Sequence, residues 1–115
     1  MAYRELPLSE STDGQGILVT GVDTGASVLI HTATASVDRP DKVTAYVHNN
    51  HTDSVYVFFE LGEDTATKII PVLVPSKKGM LLAIPGLPLL NSKTLKAFAA
   101  TANVITVTGG VGRDV

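Results

Sequence analysis

Residues 42–61 read KVTAYVHNNHTDSVYVFFEL, and this stretch contains the clearest structural pattern in the chain. Valine and alanine alternate with polar or aromatic residues over 42–48, and a similar alternation returns over 54–61. A period of two residues places successive side chains on opposite faces of a β-strand, so both segments are predicted to be strands. Their predicted buried faces carry Val43, Ala45 and Val47 on the first strand, and Val55, Val57 and Phe59 on the second.

The segment between these strands, NNHTD at 49–53, predicts a hairpin loop, because Asn and Asp tolerate left-handed backbone. On both sides of this stretch, further β-prone runs lie at 17–20, 27–32, 68–74, 80–84 and 103–107. Pro71 predicts that the run containing it is an edge strand or a bulge, because proline cannot donate to a ladder. The Pro85–Gly86 dipeptide predicts a turn.

Residues 92–102, SKTLKAFAATA, fit two patterns. A helical stripe would use Leu95, Phe98, Ala99 and Ala102, whereas a strand would place Leu95, Ala97 and Ala99 on one face. The β-prone run that follows favours the strand, and with it a final hairpin.

Short strands at intervals of about eight to twelve residues are typical of a β-sandwich. We therefore predict one all-β domain over 17–115, a β-sandwich or jelly-roll-like fold with short turns. Residues 1–16, MAYRELPLSESTDGQG, show neither period and are predicted to form an extended N-terminal arm. The alternative for this segment is a frayed terminus.

Composition excludes several classes of function. A chain of 115 residues without cysteine excludes a disulfide scaffold, thiol catalysis and Cys-ligated metal. Nine basic and 11 acidic residues provide no polycationic surface, so neither nucleic acid nor a membrane surface is an expected partner. No run reaches the roughly 20 apolar residues that span a bilayer, and MAYRELPLSE lacks the features of a secretion signal. We expect synthesis in a reducing cytoplasm.

Asp23-Thr24-Gly25-Ala26, which follows a β-prone run, resembles the active-site signature of retroviral-type aspartic proteases. Such enzymes pair two carboxylates that share one proton, so a short chain must act as a homodimer. The segment 111–114, VGRD, is similar to the family's second motif, but only Val115 follows it here and the spacing is longer. The alternative is an ordinary Asp-x-Gly turn.

Two other groups of residues have side chains that occur in functional sites. His48, His51 and Asp53 have the side chains of a zinc site, but solvated imidazoles explain them as well, and no metal or cofactor site is predicted. The aromatic residues Tyr46, Tyr56, Phe58 and Phe59 are expected to pack in the core, although the two tyrosines suit an exposed face. The sequence therefore predicts no catalytic constellation.

Four stretches resemble a family of small virion-associated proteins of tailed bacteriophages. They are SVLIHTA at 27–33, AYVHNNHT at 45–52, PGLPLL at 85–90 and KAFAATANVI at 96–105. The resemblance extends in order over 25–113 and involves framework strands and turns. By size and composition it points to capsid decoration (cement) proteins, which are β-rich and often trimeric.

This resemblance implies a non-enzymatic structural protein on the capsid surface of the virion. The implied partners are the major capsid protein and further copies of the chain, with a trimer favoured. We predict that apolar anchors come from the arm and from a proline-flanked loop: Tyr3, Leu6, Leu8, Leu87, Leu89 and Leu90. For the loop, the alternative is internal core. Besides the protease, a second alternative function is a receptor- or glycan-binding fibre or neck component that uses Tyr46, Tyr56 and loop Asn and His residues.

Overall fold

Strands account for nearly all of the regular structure. The computed structural model describes residues 3–114, apart from the side chain of Tyr3. Over these residues the strands are β1 Tyr3–Pro7, β2 Ile17–Val19, β3 Val28–Thr32, β4 Asp41–Asn49, β5 Val55–Leu61, β6 Ile70–Val74, β7 Leu81–Leu89, β8 Thr94–Ala99 and β9 Ile105–Asp114. Short 3-10 turns occur at Thr24–Ala26 and Ala66–Lys68. The prediction of an all-β domain is confirmed.

The strands pair into two antiparallel sheets, which together form a β-sandwich. The first sheet has the order β1–β9–β4–β7, with β2 also paired to β9, and the second has the order β3–β8–β5–β6. β1 and β2 occupy different lengths of the same β9 edge, so they act as one interrupted strand. From β2 onward, the chain crosses to the other sheet at every connection except β5 to β6. This alternation gives the strand order of a jelly roll.

The core lies between the two sheets and is filled by the alternating residues that the sequence indicated. Val43, Ala45 and Val47 on β4 are each 0% exposed, and on β8 Leu95, Ala97 and Ala99 are also fully buried. On β5 the inward residues are Val55, Val57 and Phe59. The strand interpretation of 92–102 is therefore correct over β8. Valine, isoleucine, leucine, alanine and phenylalanine side chains from both sheets pack tightly to form the core.

The hairpin predicted over 49–53 is wrong, because β4 and β5 belong to different sheets. Asn49 is 1% exposed, and its Nδ2 donates to the carbonyl oxygens of Asp53 at 2.9 Å and Val74 at 3.0 Å. Its Oδ1 accepts a hydrogen bond from the His51 N–H at 2.8 Å. These bonds hold the crossover between the sheets. The predicted final hairpin is wrong for the same reason, since β8 and β9 also lie in different sheets.

The three proline-containing strands, β1, β6 and β7, all lie at sheet edges, where a missing N–H is tolerated. Pro71 is on β6, at the edge of the second sheet, as predicted. The turn predicted at Pro85–Gly86 is wrong, because β7 continues through both residues at the edge of the first sheet. The strand accommodates them through register shifts against β4 and through a φ of 75° at Gly86.

The N-terminal segment is part of the sandwich over the residues that the structure describes. Tyr3–Pro7 pairs with β9 in a continuous register from Tyr3↔Asp114 to Pro7↔Gly110. Leu8, which follows the strand, is 1% exposed and belongs to the core. The prediction of an arm outside the domain is therefore wrong for residues 3–8, because β9 provides a backbone edge that this segment completes. Within residues 3–114, no helix is long and apolar enough to cross a membrane.

At Gly109, β9 lies so close to β4 that there is no room for a side chain. A Cβ at this position would overlap the carbonyl oxygen of Thr44 on β4. We expect Gly109→Ala to lower the free energy of unfolding by at least about 1–3 kcal/mol, the usual cost of overpacking. Gly25→Ala is the control, because its Cβ would lie 3.5 Å from Asp23 Oδ1 in ordinary contact. Urea unfolding measures both variants, and equal midpoints would contradict this packing.

Candidate functional site

The outer surface of the second sheet carries a row of stacked aromatic rings. Tyr56 and Phe58 alternate with the buried residues of β5 and therefore point away from the core. The ring centroids of Tyr56 and Phe58 are 6.0 Å apart, and those of Phe58 and Phe98 are 4.9 Å apart. Tyr56 and its register partner Leu73 are each 48% exposed.

These rings and their neighbours form one apolar surface, which we call the aromatic face. The register of β3, β8, β5 and β6 assigns it Leu29, Tyr56, Phe58, Pro71, Leu73 and Phe98. Glu60 and Lys96 lie opposite each other at its border. An exposed apolar surface with a polar border is typical of a protein–protein interaction site. The expectation that Phe58 packs in the core is wrong, whereas Phe59 is fully buried.

The outer surface of the first sheet contains a groove of about 610 Å³. Residues 109–112 of β9 line it, and three of these four residues are glycine, so backbone is left uncovered. Tyr46, Lys42 and Glu5 contribute side chains, with Tyr46 36% exposed. A tyrosine ring beside charged groups and free backbone suits a small polar ligand with one apolar side.

Two of the six predicted anchor residues lie in the core. Leu8 is 1% exposed and Leu89 is 6% exposed, so their prediction as surface anchors is wrong. Leu8 is carried inward at the end of β1, and Leu89 is the last residue of β7, which the predicted turn would have placed in a loop. For Leu89, the alternative of internal core is the correct one.

The other four predicted anchors are placed differently. Leu6 and Leu87 are partly buried and pack against the core from the outer strands. Leu90 is partly exposed directly after β7. The side chain of Tyr3 lies outside the described part of the chain. None of the anchors whose side chains are described belongs to the aromatic face.

Asp23 caps a short turn. Its Oδ1 accepts a hydrogen bond from the Ala26 N–H at 2.9 Å at the start of the 3-10 turn Thr24–Ala26, and the residue is exposed. Arg113, from the second protease-like motif, binds Asp41 instead. The ordinary turn explains the Asp-Thr-Gly pattern within one chain. The protease alternative requires a second copy and stays a prediction.

The histidines at 48 and 51 do not come together as a metal site. His51 Nδ1 accepts a hydrogen bond from the Asp53 N–H at 3.1 Å, inside the crossover loop. His48 lies on β4, where its register partner on β9 is Thr106. No group of three His, Cys, Asp or Glu residues within 3–114 is arranged to hold a metal ion.

A charged cluster at one end of the sandwich joins distant segments of the chain. Asp41, the first residue of β4, is 0% exposed. Arg113 on β9 binds it with two hydrogen bonds, Nε to Oδ1 at 2.7 Å and Nη2 to Oδ2 at 2.8 Å. Oδ2 also accepts from the Thr34 N–H at 3.1 Å and lies 2.8 Å from His31 Nε2. The carboxylate therefore connects the two sheets.

The hydrogen bonds define the tautomer of His31, which is 1% exposed. Its Nδ1 accepts from the Ser9 N–H at 3.0 Å, so Nε2 carries the proton and donates to Asp41. The Ser9 hydroxyl instead accepts from the Thr32 N–H at 2.7 Å. Neither ring nitrogen is therefore hydrogen-bonded to the Ser9 hydroxyl. This arrangement of Ser9, His31 and Asp41 connects backbone segments and does not activate the hydroxyl as a nucleophile.

The environment of Asp41 also changes its titration. Burial by itself would raise the pKa of the carboxyl, but the hydrogen bonds from Arg113 and His31, the charge of Arg113 and the Thr34 N–H outweigh it. The pKa of Asp41 is therefore held below its ordinary value of 3.8. The hydrogen bonds to Asp41 likewise raise the pKa of the Arg113 guanidinium.

Sequence reasoning missed this cluster because Asp41 and Arg113 are 72 residues apart. No local pattern connects them, and the motif that contains Arg113, VGRD at 111–114, resembles a protease signature instead. The aromatic face could have been found, since the alternation that buries Val57 also directs Phe58 outward. Comparison of the chain with known proteins finds no matching family model, no matching curated protein and no matching solved structure.

The Asp41 cluster predicts a specific dependence of stability on pH. A carboxyl whose pKa is lower in the folded state stabilises the fold fully above the unfolded pKa, near 3.8, and this contribution is lost as the pH falls through the folded pKa. We expect Asp41→Asn to lower the free energy of unfolding by about 3–5 kcal/mol at pH 7, because it leaves Arg113 without its charged partner. The difference from wild type should shrink below pH 3.8.

Urea unfolding between pH 7 and pH 2 measures this effect. Asp38→Asn is the control, because the Asp38 side chain is 82% exposed and its removal should change little. A gap between wild type and Asp41→Asn that stays constant across this range would contradict the assigned role of the ionised carboxylate.

Proposed function

We propose that this chain is a non-enzymatic structural protein of a tailed-bacteriophage virion, which binds the outer capsid shell and stabilises it by bridging capsid subunits. The observation that carries the proposal is the aromatic face. It presents stacked rings and aliphatic side chains on the outside of a sheet, where Tyr56 and Leu73 are each 48% exposed. Uncovered apolar surface of this kind calls for a macromolecular partner.

The resemblance over 25–113 supports the identity of that partner. It implies the major capsid protein, a virion location after synthesis in the host cytoplasm, and assembly as a homo-oligomer with a trimer favoured. Jelly rolls occur in viral capsid domains and also in lectins, so the strand order agrees with this class by analogy of fold alone.

The energetics of a repeated contact favour this role. Burial of apolar surface contributes about 25 cal/mol per Å², and a standard interface buries roughly 1,600 Å² in total. A rigid sheet loses little conformational entropy on docking, because its backbone is already ordered by the hydrogen bonds between its strands. Repeated over a shell, such contacts add stability at the joints between subunits, where internal pressure acts.

Binding to capsid shells that lack the protein tests the proposal. Tyr56→Ser and Leu73→Ser, made together, should weaken binding by roughly 30-fold or more, since loss of an aromatic anchor costs about 2 kcal/mol or more. Both residues are about half exposed, so the fold should survive, which urea unfolding checks. Leu18→Ser is the matched control: Leu18 is 45% exposed but lies on β2 of the first sheet.

Co-sedimentation measures the affinities, and cryo-EM of the decorated shells locates the contact. We expect the protein in stoichiometric ratio with the shell protein and the second sheet against the shell. Absence of binding by the wild type, or equal loss with Leu18→Ser, would reject the proposal.

The groove beside Tyr46 favours a second candidate, a receptor- or glycan-binding component of the virion. Its tyrosine ring, charged groups and uncovered glycine backbone are suited to a sugar ring. Binding on a glycan array that Tyr46→Ala abolishes and Tyr56→Ser leaves intact would support this candidate. Absence of glycan binding by the wild type on the array would contradict this candidate.

A further inference from the structure

Glu60 occupies an unusual position at the border of the aromatic face. It follows Phe58 on the outward side of β5, yet it is only 3% exposed. Its Oε2 is buried and has no hydrogen-bond partner among the described residues. A buried carboxylate oxygen without a hydrogen-bond partner is costly, so Oε2 points to a ligand that completes it.

Glu60 lines a small polar cavity of about 240 Å³, which we call the Glu60 cavity. The other lining residues are Thr24, Ser27, Gly62, Glu63, Asp64, Thr94 and Lys96. Three carboxylates therefore face a single lining ammonium group. Outside the cavity, Lys68 Nζ lies 3.6 Å from Glu63 Oε1. In the described part of the chain, no Lys or Arg nitrogen lies within 4.0 Å of the Glu60 carboxylate.

We propose that the Glu60 cavity binds one organic cation, the guanidinium group of an arginine side chain. A guanidinium carries five N–H donors in a planar fork that matches a carboxylate in a bidentate pair. The hydroxyl groups of Thr24, Ser27 and Thr94 provide acceptors for the remaining donors. Guanidinium is also more weakly hydrated than ammonium, which favours it in a buried site.

The position of the cavity identifies the source of this arginine. Glu60 and Phe58 are two residues apart on one side of β5, about 7 Å along the strand. A protein docked on the aromatic face would thus place an arginine at its border within reach of Glu60. This assignment to the capsid partner rests on the proposed function, whereas the binding of a guanidinium group does not.

A titration with N-acetyl-L-argininamide, followed by backbone amide NMR on the full chain, tests the cavity. We expect saturable shifts at Gly62, Thr94 and Lys96 and none at Tyr46 on the other sheet. The matched ligand N-acetyl-L-citrullinamide has the same shape without the charge and should produce no saturable shift. Equal shifts with both ligands, or no saturation with the arginine compound, would overturn the proposal.

Substitutions at two of the carboxylates and a titration with a metal ion make the test specific. Glu60→Gln should weaken binding by about tenfold or more, since it removes a charge-assisted hydrogen bond, whereas Glu63→Gln, at the 45% exposed border, should have a smaller effect. Should Glu60→Gln fail to fold, the site-specific shifts of the wild type still decide the question. Calcium chloride that shifts the same amides while the arginine compound does not would replace the proposed ligand with a metal ion.

Shell binding then separates this inference from the proposed function. Loss of affinity in Glu60→Gln, with the aromatic face intact, would support an arginine on the capsid partner. Binding of Glu60→Gln at the wild-type level would overturn the partner assignment, even if the cavity binds the arginine compound. Failure of the wild type to bind shells would overturn the proposed function and leave the guanidinium site standing.

Discussion

The buried carboxylate of Asp41 is the interaction on which the arrangement of the two sheets depends. It begins β4, the strand between β9 and β7, and receives N–H groups from β9 through Arg113 and from β3 through His31. His31 Nδ1 in turn accepts from the Ser9 N–H, two residues after the end of β1. A single ionised group thus connects the beginning, the middle and the end of the chain at one end of the sandwich.

The opposite end of β4 is held by a second buried polar residue. The side-chain Nδ2 of Asn49 donates to the backbone carbonyl groups of Asp53 and Val74. The backbone carbonyl oxygen of Asn49 accepts a hydrogen bond from the Lys77 N–H at 2.9 Å. The central strand therefore has a polar connection at each end and an apolar face between them. Buried polar groups with all their partners in place favour one arrangement of strands over others, because any shift in register would leave them unpaired.

The inner faces of the two sheets pack against each other in the core, so the outer faces are the surfaces that a partner could contact. The same alternation that fills the core places Tyr56 and Phe58 outside, and Glu60 continues this series into a cavity. The first sheet offers a groove lined by glycine backbone instead. The two outer surfaces thus differ in chemistry: the second sheet presents stacked aromatic rings with a buried carboxylate at their border, whereas the first sheet presents uncovered glycine backbone beside Tyr46. This difference is why we propose the second sheet as the surface that binds a macromolecular partner.

The sequence by itself determined the all-β class, most strands and the residues that face the core, because a period of two is a local property of the chain. It also placed Pro71 at an edge, since a missing N–H has the same consequence in any sheet. Only the tertiary structure decided which strands are neighbours. Asn49 and Asp53 predict a turn, but whether that turn closes a hairpin or crosses between sheets depends on Val74, which lies 25 residues from Asn49. Likewise, Leu8 and Leu89 are core residues because distant strands cover them, and Asp41 acquires its role from Arg113 across the length of the domain.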